Sequence, residues 1–171
     1  MATDASEQLP LTEEESTFLI LPEWVDLLRV SLLGLAVGVL VPALGWALQK
    51  FLIVPVFCRE ATALAVCGAN DLTTYYIATV VLAVVAVALM ANWQVFRPLL
   101  VAVAAAASLW GFQRYVGDTV SHAGMEYYLS SAVLYALAFL LFYWLLRLKN
   151  FTLSVVLTVL AVVAIRWALL S

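Results

Sequence analysis

Two long apolar runs, Tyr127 to Leu146 and Phe151 to Ser171, are joined by only four residues, Arg147-Leu148-Lys149-Asn150. The first run has 20 residues and no charge. The second has 21 residues and one charge, Arg166. At about 1.5 Å rise per residue, a helix of either length crosses the roughly 30 Å hydrocarbon core of a bilayer. So short a link makes the two helices antiparallel. Its two bases, with no acid, mark it as cytoplasmic by the positive-inside rule. Class, local topology and an orientation thus come from one stretch.

Composition agrees with lipid as the solvent. The chain is 66% hydrophobic and 11% charged, with a mean hydropathy of +1.07, a balance that cannot cover a surface in water. The net charge of -3 hides an asymmetry. Asp4, Glu7, Glu13, Glu14, Glu15, Glu23 and Asp26 crowd the first 26 residues, and no base precedes Arg29. Residues 1–20 therefore read as an acidic, disordered cytoplasmic tail. They lack the positive n-region of a signal peptide. No basic cluster supports nucleic-acid binding.

Residues 21–171 read as a single all-α transmembrane domain, a bundle of five spans with short loops at about 28–50, 73–93, 98–114, 126–146 and 150–170. Five spans with the 147–150 link inside place the N-terminus in the cytoplasm and the C-terminus outside, in a cytoplasmic (inner) membrane. Lys and Arg near the span ends tie, with Arg29, Arg97, Arg147 and Lys149 inside and Lys50, Arg59, Arg114 and Arg166 outside. The orientation rests on the acid-free inner turns and on the cysteines. Within the first span, Gly34-x-x-x-Gly38 permits close helix approach, either inside the molecule or at a dimer seam, and Pro42 predicts a kink. The alanine-rich third span (Ala102, Ala104 to Ala107) is thin enough to sit centrally in the bundle.

Three groups of side chains could carry chemistry. Cys58 and Cys67 lie in the predicted outer loop 51–72, where a disulfide would close a ten-residue ring; two free thiols or a redox pair are the alternatives. A continuous helix between them would hold them too far apart, so a bridge requires the chain to turn back. Asp118-x-x-x-His122-x-x-x-Glu126 has helical spacing and metal- or proton-binding chemistry, yet Gly117 and Gly124 interrupt any helix there. Arg166 can snorkel to headgroups, or pair with Asp71, Glu60 or Glu126. Ser130, Ser131, Thr152, Ser154 and Thr158 can bond their own helix backbones. Tyr75, Tyr76, Tyr127, Tyr128, Phe142, Tyr143 and Trp144 fall near span ends, as in an interfacial aromatic belt. Two cysteines and one histidine do not make a zinc site, and nothing in the sequence implies a cofactor.

Leu137 to Leu170, together with the Cys58/Cys67 loop, resembles small multipass membrane proteins of candidate-phyla-radiation bacteria. The resemblance implies a bacterial source and carries no activity. The function expected from the residues is a non-enzymatic accessory or scaffold subunit acting through helix packing, with lipid, a second copy or another membrane protein as partner. A small oligomeric transporter or channel is the alternative, and a membrane enzyme or thiol-redox protein the third. An accessory role predicts an exposed small-residue groove at Gly34/Gly38, transport a polar stripe facing Arg166, and catalysis a convergence of Asp118, His122 and Glu126.

Overall fold

The structure, a computed structural model, describes residues 24–57, 73–113 and 124–170. Its elements are α1 (Trp24–Leu48), a π-helical turn (Gln49–Ile53), α2 (Val54–Phe57), α3 (Thr73–Asn92), α4 (Pro98–Ser108), α5 (Met125–Leu145) and α6 (Phe151–Leu170). Among the described residues, four stretches are long and apolar enough to cross a bilayer: Trp24–Val56, Thr73–Asn92, Met125–Leu145 and Phe151–Leu169. These helices are apolar around their whole circumference, which is how helices look when both core and solvent are apolar. Their exposed sides carry Leu32, Val39, Val80, Val84, Leu129, Leu137, Val156 and Leu160, while Thr74, Thr79, Gln113, Ser131 and Ser154 are buried.

The first helix is longer than its sequence suggests. Residues 51–57 continue the helix begun at Trp24, where the sequence reading placed a loop. Lys50 does not end it, because its ammonium lies 4.8 Å from the Trp46 ring and 5.9 Å from the Phe51 ring, the position of a snorkelling side chain. Pro55 does not end it either. Proline has no N–H to give the Phe51 carbonyl, and its ring crowds that oxygen. The helix widens just before it, with the Val54 N–H bonding Gln49 O five residues back. Pro42 is buried within α1, which runs on through it.

The closest helix pair is α1 with α5. A Cβ added at Gly34 would stand 2.7 Å from the Ala136 Cα, and one at Gly38 would stand 2.6 Å from the Ala132 Cα. Gly34-x-x-x-Gly38 thus meets Ala132-x-x-x-Ala136 in reverse order, backbone against backbone. The Ser131 hydroxyl closes the contact by donating to Gly38 O at 2.8 Å. Ser131 therefore bonds across the interface and not, as the sequence reading allowed, to its own helix. At Gly45 the same face of α1 receives the Tyr75 ring of α3.

Between α3 and α4 the chain reverses within five residues. Gln94 (φ 56°) and Arg97 (φ 52°) both take the left-handed conformation, and the Val95 N–H reaches back to Met90 O at 3.0 Å. A left-handed non-glycine residue costs roughly 1–2 kcal/mol, which glycine avoids at some entropic expense. Gln94 is exposed, so Gln94→Gly is expected to raise stability in detergent by up to about 1 kcal/mol, read as a higher apparent Tm. A lower Tm would show that the Gln94 side chain contributes contacts.

Pro98 occupies the first turn of α4, and the helix lasts 11 residues, about 17 Å. It stops where Gly111 turns to φ 89°. Phe112 and Gln113 follow, both buried. Although α4 itself is short, the 97–113 segment touches both ends of the bundle. The Arg97 guanidinium lies 4.6 Å from the Phe151 ring at the start of α6, and Gln113 meets Tyr127 near the start of α5. Val101, Ala102, Ala104 and Ala105 face inward, while Leu99 and Val103 face out between two shallow apolar grooves.

α6 is the least embedded of the four long helices. Only 11% of its most apolar stretch is buried, against 39% for α1, 39% for α3 and 44% for α5. It is anchored at its start by the Ser154 hydroxyl, which crosses the link to Leu145 O at 3.0 Å.

Candidate functional site

Polar groups gather towards the two ends of the bundle, and buried Ser131 and Tyr135 carry one set to mid-helix beside Gly38 and Gly34, within a core of Val37, Val41, Leu82, Ala86, Val101, Ala105 and Phe139. At one end α3, α5 and the 112–113 turn bring together Thr74, Tyr75, Thr79, Gln113, Tyr127 and Tyr128, with Tyr135 deeper along α5. The Tyr127 hydroxyl donates to Gln113 Oε1. Thr79 donates to Tyr75 O at 2.8 Å and engages the Tyr135 side chain. The Tyr127 and Tyr128 rings meet edge to face at 5.8 Å. Gln113 Nε2 and Thr74 Oγ1 are buried with no hydrogen-bond partner among the described residues. Tyr76 stacks on Trp110 at 4.9 Å, holding the interruption after α4 against α3.

The opposite end is cationic. Asp26 pairs with Arg29 at 3.7 Å and accepts a hydrogen bond from the Tyr143 hydroxyl at 3.5 Å. The Arg147 guanidinium lies 5.1 Å over the Tyr143 ring. Arg97 is held by two rings, Phe96 and Phe151, each 4.6 Å away. The Nη1 atoms of Arg97 and Arg147 are buried and have no hydrogen-bond partner among the described residues.

Several sequence expectations change against this geometry. Tyr75, Tyr127, Phe142 and Tyr143 are buried between helices and do not form an interfacial belt, since each packs against a neighbouring helix near its end. Trp144 and Tyr76 retain exposed area. The groove at Gly34/Gly38 is filled by Ala132 and Ala136, so the exposed small-residue face expected of an accessory subunit is absent at that place. Glu126 lies in the first turn of α5 and is exposed. Arg166 is exposed near the end of α6. Cys58, Cys67, Asp118 and His122 lie outside the described residues. Among the described residues, no three His, Cys, Asp or Glu side chains gather as metal ligands.

The tyrosine cluster escaped the sequence reading because Tyr75, Tyr127 and Tyr128 are assigned there by distance from a span end and Tyr135 is not singled out. The usable signal was spacing: Tyr127, Ser131 and Tyr135 recur every fourth residue and share one face of α5. Chemically, both ends join helices to one another through side-chain bonds and ring contacts. No family model, curated protein or solved structure matches the chain.

Proposed function

We propose that this chain is an integral membrane protein of five crossings, and that it works without catalysis as an accessory subunit presenting α6 to a transmembrane helix of another membrane protein. The observation that carries the reading is the 11% burial of α6, beside 39–44% for the other three long helices. Leu153, Val156, Leu160, Ala164 and Trp167 recur on one exposed face of that helix. The partner surface is thereby moved from Gly34/Gly38, which α5 covers, to α6. Transport has less support, because the core is mostly Val, Leu, Ala and Phe, and the Ser131 hydroxyl within it is taken up by Gly38 O.

The fifth crossing is assigned to residues 97–113. A helix interrupted at Leu109–Gly111 is tolerable in a membrane where protein covers the irregular backbone, and buried Leu109, Phe112 and Gln113 supply that condition. The base count is equal at the two ends, so the orientation rests on the turns at 94–97 and 147–150, which carry Arg97, Arg147 and Lys149 with no acid and which we assign to the cytoplasm. The Cys58/Cys67 loop then faces outward, where a disulfide persists. The resemblance to small bacterial multipass proteins supports a bacterial cytoplasmic membrane.

A photoactivatable benzophenone side chain placed at Val156, Leu160 or Trp167 in cells tests the role. The expected result is a crosslinked adduct of one defined protein mass from these positions and none from Val84 or Leu129. An adduct with a second copy of the chain would replace the accessory role with self-association. No protein adduct from any of the three α6 positions would end it.

A further inference from the structure

We infer that the Arg97/Arg147 end of the bundle is a binding site for an anionic phospholipid, with its phosphate on the two guanidinium groups and an acyl chain in the adjoining groove. The inference rests on the membrane assignment and adds a ligand to it. Between α4 and α6 runs a groove of about 280 Å³, lined by Leu100, Ala104, Leu146, Val155, Val159 and Val163 among others. Its lining is apolar apart from the Thr158 hydroxyl, which already donates to Ser154 O at 2.8 Å. A groove without free polar groups suits a hydrocarbon chain.

Three of the groove's lining residues lie within one turn of the arginines or of the ring that holds Arg97. Leu100 is one turn beyond Arg97, Leu146 precedes Arg147, and Val155 is one turn beyond the Phe151 ring that holds Arg97. The left-handed backbone at Arg97 turns the chain so that this side chain lies back over α6. Among the described residues neither guanidinium has a carboxylate partner: the ion pair there is Asp26 with Arg29, and the other Asp26 oxygen accepts from Tyr143. Each arginine keeps a buried Nη1 without an acceptor among the described residues. Both arginine side chains are also partly exposed, and through their accessible N–H groups they can meet a phosphate oxygen, the acceptor that guanidinium geometry matches best. Exposed Lys149 in the same link adds a third positive charge. A headgroup with net negative charge fits this set, whereas a zwitterionic one brings its own cation against it.

The test is lipid retention by the full chain in detergent, read by native mass spectrometry, with phosphatidylglycerol and phosphatidylcholine of identical acyl chains as probes. The expected result is a preference for phosphatidylglycerol of roughly tenfold, reduced to parity in Arg97→Gln/Arg147→Gln. Should that variant misfold, Val163→Trp fills the groove from a position 58% exposed, leaves both arginines in place, and is expected to lower retention of phosphatidylglycerol as well. Equal retention of the two lipids by the parent chain overturns the site and leaves the membrane assignment standing. So does displacement of phosphatidylglycerol by millimolar inorganic phosphate, which would identify a free-anion site.

Discussion

Gly38→Leu is expected to separate α1 from α5 and to lower stability by at least about 3 kcal/mol, a drop in apparent Tm on the order of 10 °C in detergent. The reason is that the atoms in the way are backbone. A Cβ at residue 38 would meet Ala132 Cα at 2.6 Å and Ser131 O at 2.7 Å, and neither can move aside by changing rotamer. In lipid no hydrophobic force holds two helices together, so stability comes from close approach and from interhelical hydrogen bonds. Leucine at this position removes both, since the Ser131 hydroxyl can then no longer reach Gly38 O. Ser131→Ala isolates the hydrogen bond, with an expected cost of about 0.6 kcal/mol. If Gly38→Leu melts with the parent, the α1–α5 contact is not what organises the bundle.

Tyr127→Phe is expected to cost about 1–3 kcal/mol by stripping Gln113 of its donor in a buried place. Gln113 is 3% exposed and Tyr127 is 1% exposed, so water does not replace the lost partner. Gln113→Met is expected to be costly for the converse reason, because it leaves the phenol without that acceptor. The double variant removes both polar groups and is expected to be less damaged than the two single effects added together, by about 1 kcal/mol or more. Additive costs, measured as apparent Tm or as resistance to denaturation in SDS, would show that the two side chains do not depend on one another. The consequence reaches beyond this pair, because Gln113 fastens the far end of the 97–113 segment.

The long helices were legible in the sequence because lipid-facing and core-facing residues are equally apolar, so length alone marks them. Expected spans at 73–93, 126–146 and 150–170 differ from the helices by one or two residues. The first helix was cut short at Lys50 on the assumption that a charge ends a span. A lysine lying over Trp46 and Phe51 can stay on a helix that continues, and the π-helical turn before Pro55 lets the backbone pass a residue with no donor. The interruption at 109–111 was also available in principle. Gly111 was the signal, and it was passed over inside an apolar run.

Partner choice between helices was harder to read. Gly34-x-x-x-Gly38 announces a close contact but does not say with what, and the answering Ala132-x-x-x-Ala136 is one of several small-residue spacings in this chain. The tyrosine end was misread for a related reason. Position along a helix says how deep a side chain sits, and only the helical face says whether it is buried. Arg97 and Arg147 were counted as topology signals, and nothing in one dimension shows that Phe151 brings Arg97 beside the α4–α6 groove.

The most direct test of the five-crossing bundle is to find the sides on which its two ends lie. In a Cys58→Ser/Cys67→Ser background, Trp24→Cys and Ser171→Cys are labelled separately with an impermeant maleimide, in intact cells and in inverted vesicles. Five crossings with the 147–150 turn inside predict that Ser171→Cys reacts in intact cells and Trp24→Cys only in inverted vesicles. Reaction of both from the same side would mean an even number of crossings. The 97–113 segment would then enter and leave by one face, and the fold proposed for the membrane would be contradicted.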